Sequence, residues 1–169
     1  MRNDRFLTVF AVFDDKTQKT IHDWQEAIAQ RGLAGSQSAD IPFHISLGSF
    51  PVDMQDELLN RLRNAKQDFR PFELTLDSIC TFGDKVLYLQ PSISTQITEL
   101  HDRFAGNYAD GLPFVAHSTV FMGAVDEVLR AKAVLQACFT PIRVTVTELW
   151  LCEFFPTRFI GKEKLSNYI

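Results

Sequence analysis

The sequence predicts an α+β protein built as a bilobal, duplicated fold. Three observations carry that expectation. Short β-branched and aromatic runs alternate with helix-period stripes along the chain, the same order of elements is met twice, and each copy carries a His-x-hydroxyl tetrapeptide at the equivalent place. A length of 169 residues suits one domain spanning 1–169, with two lobes sharing a core.

The elements can be justified in order. Phe6 to Phe13 is an apolar run of strand length. Ile21, Trp24 and Ile28 then recur at helical spacing, and Gly32 is a C-terminal stop. Residues 33–41 carry Gly, Ser and Asp and read as a loop. Phe43 to Phe50 reads as a strand closed by Pro51. Asp53 is placed to cap a helix whose stripe is Leu58, Leu59, Leu62, Ala65 and Phe69. Phe72 to Leu76 alternates as a half-buried strand does, and Gly83-Asp84 precedes a further strand, Val86 to Gln90. Ile97, Leu100, Phe104 and Tyr108 mark a helix. Val115 to Met122 reads as a strand, residues 126–139 as a helix, and Ile142 to Phe155 as strand again. The last stretch, with Arg158, Lys162 and Lys164, matches no template firmly.

The repeat is visible residue by residue. A Pro-Phe pair precedes His44, a helix ends at Phe69, and Arg70-Pro71 leads into Phe72-Glu73-Leu74-Thr75-Leu76. Pro113-Phe114 precedes His117, a helix ends at Phe139, and Thr140-Pro141 leads into Ile142-Arg143-Val144-Thr145-Val146. Phe69, Pro71 and Thr75 recur at an offset of 70, while the two histidines are 73 apart, so one short indel intervenes. Two such copies predict pseudo-two-fold symmetry, which would carry each histidine to the other's place across a shared cleft.

Bulk composition narrows the function classes. Apolar residues make up 46% and charged residues 22%, which excludes a disordered chain. A net charge of −4 argues against a grip on a long duplex and favours a small substrate or only the end of an RNA. Cys80, Cys138 and Cys152 are odd in number and lack CxxC spacing, so they read as buried thiols in a reducing, cytoplasmic setting. The apolar run at Phe6–Phe13 is short and ends in Asp14-Asp15-Lys16, which reads as a first strand and not as a signal peptide. No membrane span is expected, and a monomer with no obligate protein partner is.

The chemistry lies in His44-Ile45-Ser46-Leu47 and His117-Ser118-Thr119-Val120. On a strand, residues i and i+2 share a face, so each lobe offers one imidazole and one hydroxyl to a common space. That set suits a phosphodiester. A base must deprotonate the attacking oxygen and an acid must protonate the leaving one, in line on opposite sides of phosphorus. Two imidazoles with pKa values near 6.5 can divide those roles near neutral pH, which predicts a bell-shaped rate with limbs near that value. Ser46 and Thr119 can donate to the non-bridging oxygens. No cofactor is needed, and no cluster near either motif has metal-ligand spacing.

These paired motifs, in the two halves of a chain of this length, resemble the 2H phosphoesterase superfamily, which includes 2′-5′ RNA ligase-like proteins and cyclic nucleotide phosphodiesterases. The resemblance covers nearly the whole chain. It implies two mostly antiparallel sheets around a central cleft with helices outside. It also implies opening of 2′,3′-cyclic phosphates on RNA ends or small nucleotides, with His44 and His117 as the catalytic pair and Ser46 and Thr119 as phosphate-binding hydroxyls. No third phosphate-binding residue matches.

Competing readings remain at this level. A non-catalytic RNA- or nucleotide-binding module would use the same cleft without needing both imidazoles. An acyl hydrolase using Ser46 would need a Gly-x-Ser-x-Gly elbow, which is absent from the sequence. Tyr88, Phe121, Trp150 and Phe155 are candidates for stacking on a base, with the core as their commoner place. Arg158 and Lys162 are candidates for a phosphate, with a solvated tail as the commoner reading. His22 reads as a solvated partner of Glu26, and His101 as a packing residue.

Overall fold

The computed structural model describes residues 5–105 and 113–167. Their order is β1 (Phe6–Phe13), α1 (Asp15–Ala29), β2 (His44–Phe50), a 3-10 turn (Val52–Met54), α2 (Gln55–Asp68) and β3 (Phe72–Phe82), followed by β4 (Val86–Pro91), α3 (Thr95–Phe104), β5 (Ser118–Met122), α4 (Val125–Cys138), β6 (Ile142–Phe154) and β7 (Arg158–Lys164). The β-α-β-α-β order thus occurs twice, and β7 is the unmatched addition.

Local chemistry sets the helix starts. Asp14 accepts from the Thr17 N–H at 3.1 Å and caps α1. Ser94 does the same for Ile97 at 3.3 Å at the head of α3. Asp53 does not cap α2. It lies inside the 3-10 turn, and α2 begins at Gln55 with no side-chain cap bond. Helix α3 ends at Phe104, where Ala105 takes a left-handed conformation and donates its N–H to the His101 carbonyl. Tyr108, expected on that helix, lies outside the described residues.

The strands form one continuous antiparallel sheet of seven, in the order β2-β1-β6-β3-β4-β5, with β7 also on β6. The two sheets expected from the sequence are joined because β3 and β6 are long enough to pair twice. The C-terminal part of β6 lies along β1, and the C-terminal part of β3 lies along β4. Their N-terminal parts pair with each other, Phe72 with Val146, Leu74 with Val144 and Leu76 with Ile142. The sequence offset of 70 carries Leu74 onto Val144, so this is the register that a local two-fold through that pair generates. Each half therefore donates one strand to the other half's lobe.

All four helices cover one face. Ile21, Trp24 and Ile28 of α1, Leu58 and Leu62 of α2, Leu100 and Phe104 of α3, and Val128 and Leu135 of α4 share one core with the inward strand residues. The opposite face carries a small apolar cluster of Phe10, Val12, Cys152 and Phe154 and is otherwise open. Of the three cysteines only Cys152 is buried. Cys80 is half-buried among polar groups, and Cys138 is exposed in the last turn of α4. Among the described residues no helix is long and apolar enough to cross a membrane.

Candidate active site

His44 opens β2 and His117 immediately precedes β5. Both strands lie at the ends of the sheet path, one in each lobe. Burial alternates as the tetrapeptides require. Ile45, Leu47, Ser118 and Val120 are buried, while His44, Ser46, His117 and Thr119 are only half-buried on the open face. The β5 strand begins at Ser118, not at Val115 as expected, so His117 sits at a strand start. All four expected site residues line a single cavity of about 360 Å³.

The two imidazoles are held in the same way. His44 Nδ1 is 2.7 Å from the Pro42 carbonyl and His117 Nδ1 is 2.7 Å from the Val115 carbonyl, each two residues upstream. A carbonyl only accepts, so each Nδ1 carries the proton and donates it. The other nitrogen, Nε2, is then the atom that gains or loses a proton. His44 Nε2 lies 3.2 Å from Ser46 Oγ, whose hydroxyl can donate to it while the ring is neutral.

An aromatic ring completes each set. Phe10 is the cross-strand partner of Ser46, and Tyr88 is the partner of Thr119. The Phe10 ring stacks on His44 with centroids 3.7 Å apart and planes 29° apart. Tyr88 and its stacked neighbour Phe82 meet His117 edge-on, at 5.4 and 4.9 Å. The sequence reading missed Phe10. The signal was there in period two, since Phe6, Thr8, Phe10 and Val12 share the open face of β1.

The electrostatics follow this packing. Burial pushes the His44 pKa down from 6.5 to about 4; the bond to Pro42 opposes the shift, and the nearby His117 adds to it. Burial also holds His117 below its ordinary value, against the bond to Val115. Both rings therefore rest neutral at pH 7.

A strap from the first lobe forms one wall of the cavity. The segment between α1 and β2 runs along the free edge of β5, where Ser36 N–H donates to the Met122 carbonyl at 2.8 Å and Gln37 Oε1 accepts from Met122 N–H at 3.2 Å. Gln25 donates to the Val120 carbonyl at 2.8 Å. Gln18 grips Phe43 beside His44 at both ends, accepting from its N–H at 2.7 Å and donating to its carbonyl at 2.8 Å. Beyond the strap lies a second cavity of about 610 Å³, lined in part by Gln18, Lys19 and His22 of α1.

The remaining candidates separate. Phe121 is core, Trp150 packs edge-on to Phe159 at 5.0 Å, and Phe155 stands at the cavity mouth. His101 stacks on Phe114 at 4.0 Å, as a packing residue does. Arg158 is not a solvated tail residue, because the last stretch forms β7. Its guanidinium joins Arg5 on the buried Glu153 carboxylate, at 2.6 and 2.9 Å from Oε2, and holds that carboxyl below its usual range. Lys162 lies 5.4 Å over the Trp150 ring and 3.4 Å from Glu148. Neither lines the cavity. Among the described residues no group of three or more His, Cys, Asp or Glu side chains is placed to hold a metal ion.

The fold has relatives of known structure. Escherichia coli LigT complexed with ATP superposes with a TM-score of 0.62 at 19% identity, covering 96% of this chain and 98% of that one. LigT complexed with 3′-AMP gives 0.61 at 18%, covering 96% and 99%. TT0787 of Thermus thermophilus gives 0.65 at 14%, covering 97% and 100%. No curated protein matches the sequence. The sequence itself matches the profile of the 2′-5′ RNA ligase superfamily over residues 13–154, a span that contains both His-x-hydroxyl motifs, and the chain therefore belongs to that superfamily of 2H phosphoesterases.

Proposed function

We propose that this chain is a metal-independent phosphoesterase that opens 2′,3′-cyclic phosphates of RNA ends or nucleotides, with His44 and His117 as base and acid. One observation carries the reading: two imidazoles, each with Nδ1 pinned to a main-chain carbonyl, turn their sets of His and hydroxyl into one cavity of about 360 Å³. The nucleotides in the LigT complexes support a ligand of nucleotide size.

In ring opening, a water oxygen attacks phosphorus and the P–O2′ or P–O3′ bond breaks. His44, the more strongly depressed of the pair, rests neutral and takes the water proton on Nε2. His117, neutral in the empty site at pH 7, takes up a proton on Nε2 as the anionic diester binds beside it and gives that proton to the leaving oxygen. Ser46 and Thr119 donate to the non-bridging oxygens as charge builds there. A 5′-hydroxyl attacking in place of water opens the same ring with His44 and His117 in the same roles: its proton goes to His44, a new P–O5′ bond forms, and the ring oxygen leaves with the proton from His117.

The test is turnover of nucleoside 2′,3′-cyclic phosphates by exhaustively chelated protein, with the product isomer recorded. Ring opening that survives chelation is the expected result. Binding without turnover would favour the nucleotide-binding module, and activity returning only with a divalent ion would point to a metallohydrolase.

A further inference from the structure

Helix α1 is tied to both motif strands. Gln18 lies near its start, and Gln25 follows about two turns later on the same face, about 10 Å further along the axis. Each stands one place after a buried residue, Thr17 and Trp24, so both half-buried amides flank the core stripe. Gln18 bonds both main-chain groups of Phe43, the residue before His44. Gln25 donates to the carbonyl of Val120, the residue after Thr119, at 2.8 Å. One rigid helix of the first lobe thus holds the His-x-hydroxyl set of each lobe, and Gln25 also lines the cavity that the four side chains share. The second tie crosses between lobes. β5 has a neighbouring strand on one side only, β4, so its other edge is fixed by what binds it. Gln25 takes the Val120 carbonyl there, and Gln37 and Ser36 take the N–H and carbonyl of Met122. Of these bonds, the one from Gln25 is nearest to Thr119 and His117.

We propose that Gln25 is a positioning residue: through the Val120 carbonyl it seats β5, and with it Thr119 and His117, at the separation from His44 and Ser46 that in-line transfer needs. The inference rests on the phosphodiester reading above. In-line transfer puts base and acid on opposite sides of phosphorus, so the rate depends on the distance between two sets that different lobes carry. A misplacement of about 1 Å there can cost about 100-fold in rate. Helix α1 spans that distance with a fixed rise per residue, and its two amides transmit it to the strands. Gln25 itself takes no part in proton transfer. It acts on the second set alone, since the first is held by Gln18.

Two variants of the full chain test this. Gln25→Met keeps the length of the side chain without its donor, and Gln25→Lys restores a donor. With adenosine 2′,3′-cyclic phosphate, Gln25→Met lowers kcat roughly 10- to 100-fold with little change in KM, and Gln25→Lys recovers part of the loss. In a double-mutant cycle the loss is sub-additive with Thr119→Ala and multiplies fully with Ser46→Ala, a difference between lobes that a purely stabilising bond would not produce. The imidazole NMR signals of His117, which lies edge-on to Tyr88 and Phe82, move in Gln25→Met while those of His44 stay. An unchanged kcat, equal coupling to Thr119 and Ser46, or His117 signals identical to wild type would overturn the positioning role. Wild type that turns over no cyclic phosphate would sink the phosphodiesterase reading, and a shift confined to the His117 signals would still show that Gln25 seats the second set.

Discussion

At the scale of single residues, the two imidazoles carry the sharpest expectations. His44→Ala and His117→Ala are each expected to lower kcat at least about 100-fold, since each removes an acid or a base. The double variant should lose little beyond the worse single one, because one proton-transfer system is broken twice. Ser46→Ala and Thr119→Ala should cost less, about 2–4 kcal/mol of transition-state stabilisation. Steady-state kinetics on the wild type and these variants check this, and fully additive histidine losses would contradict it. Packing also corrects the pH expectation. Two ordinary histidines would place both limbs near 6.5, but burial lowers both rings. The kcat/KM profile should fall on its acid side near the His44 value of about 4, where the base becomes charged. It should fall on its alkaline side below 6.5, where His117 loses its proton. A profile flat from pH 5 to 9, with chemistry rate-limiting, rules the mechanism out. The same shift is a stability statement. Folded His44 binds protons more weakly than unfolded, so its contribution is full above pH 6.5 and declines as pH falls towards about 4. In His44→Asn, the loss of unfolding free energy between pH 7 and 4.5 should shrink by about 1–2 kcal/mol, allowing for solvent at the ring's open edge.

At the scale of elements, the strap decides how the two motifs meet. Its composition of Gly, Ser and Gln looks like any loop. Only the fold shows that its main chain and Gln37 occupy the open edge of β5. Gly35 adopts φ +73°, and a Cβ there would lie 2.7 Å from the Phe121 ring, so no other residue fits without displacement. Gly35→Ala should lose about 1–2 kcal/mol from the left-handed backbone alone, read by denaturant unfolding. Gln18 acts closer to the chemistry. It fixes Phe43 and, through it, the Pro42 carbonyl that orients His44. Gln18→Ala should lower kcat with little change in KM and shift the acid limb of the pH profile. Gln18→Glu, which keeps the acceptor for the Phe43 N–H, should recover part of the loss. An unchanged pH profile in Gln18→Ala would show that Gln18 serves stability alone.

At the scale of the whole molecule, strand donation is expected to make the two lobes one folding unit. β1 needs β6 from the second half, and β4 needs β3 from the first. Neither half holds a complete sheet. Unfolding should therefore be a single cooperative transition. Trp24 lies on α1 and Trp150 on β6, so Trp24→Phe and Trp150→Phe leave one reporter each. Coincident urea transitions in the two variants are expected. Separated midpoints would mean that the lobes unfold independently.

The sequence by itself determined the local elements and the paired motifs. Period-two burial at His44-Ile45-Ser46-Leu47 and at His117-Ser118-Thr119-Val120, the helix stripes, and the offset of 70 are all properties of neighbouring residues, and they survive in the structure. Tertiary structure alone decided the rest. The continuous sheet comes from the Leu74–Val144 pairing, the lowered histidine pKa values from burial, and the strap from contacts between residues more than eighty positions apart. Those features depend on which surfaces exclude water together, and a linear pattern carries face and period but not the partner that covers the face.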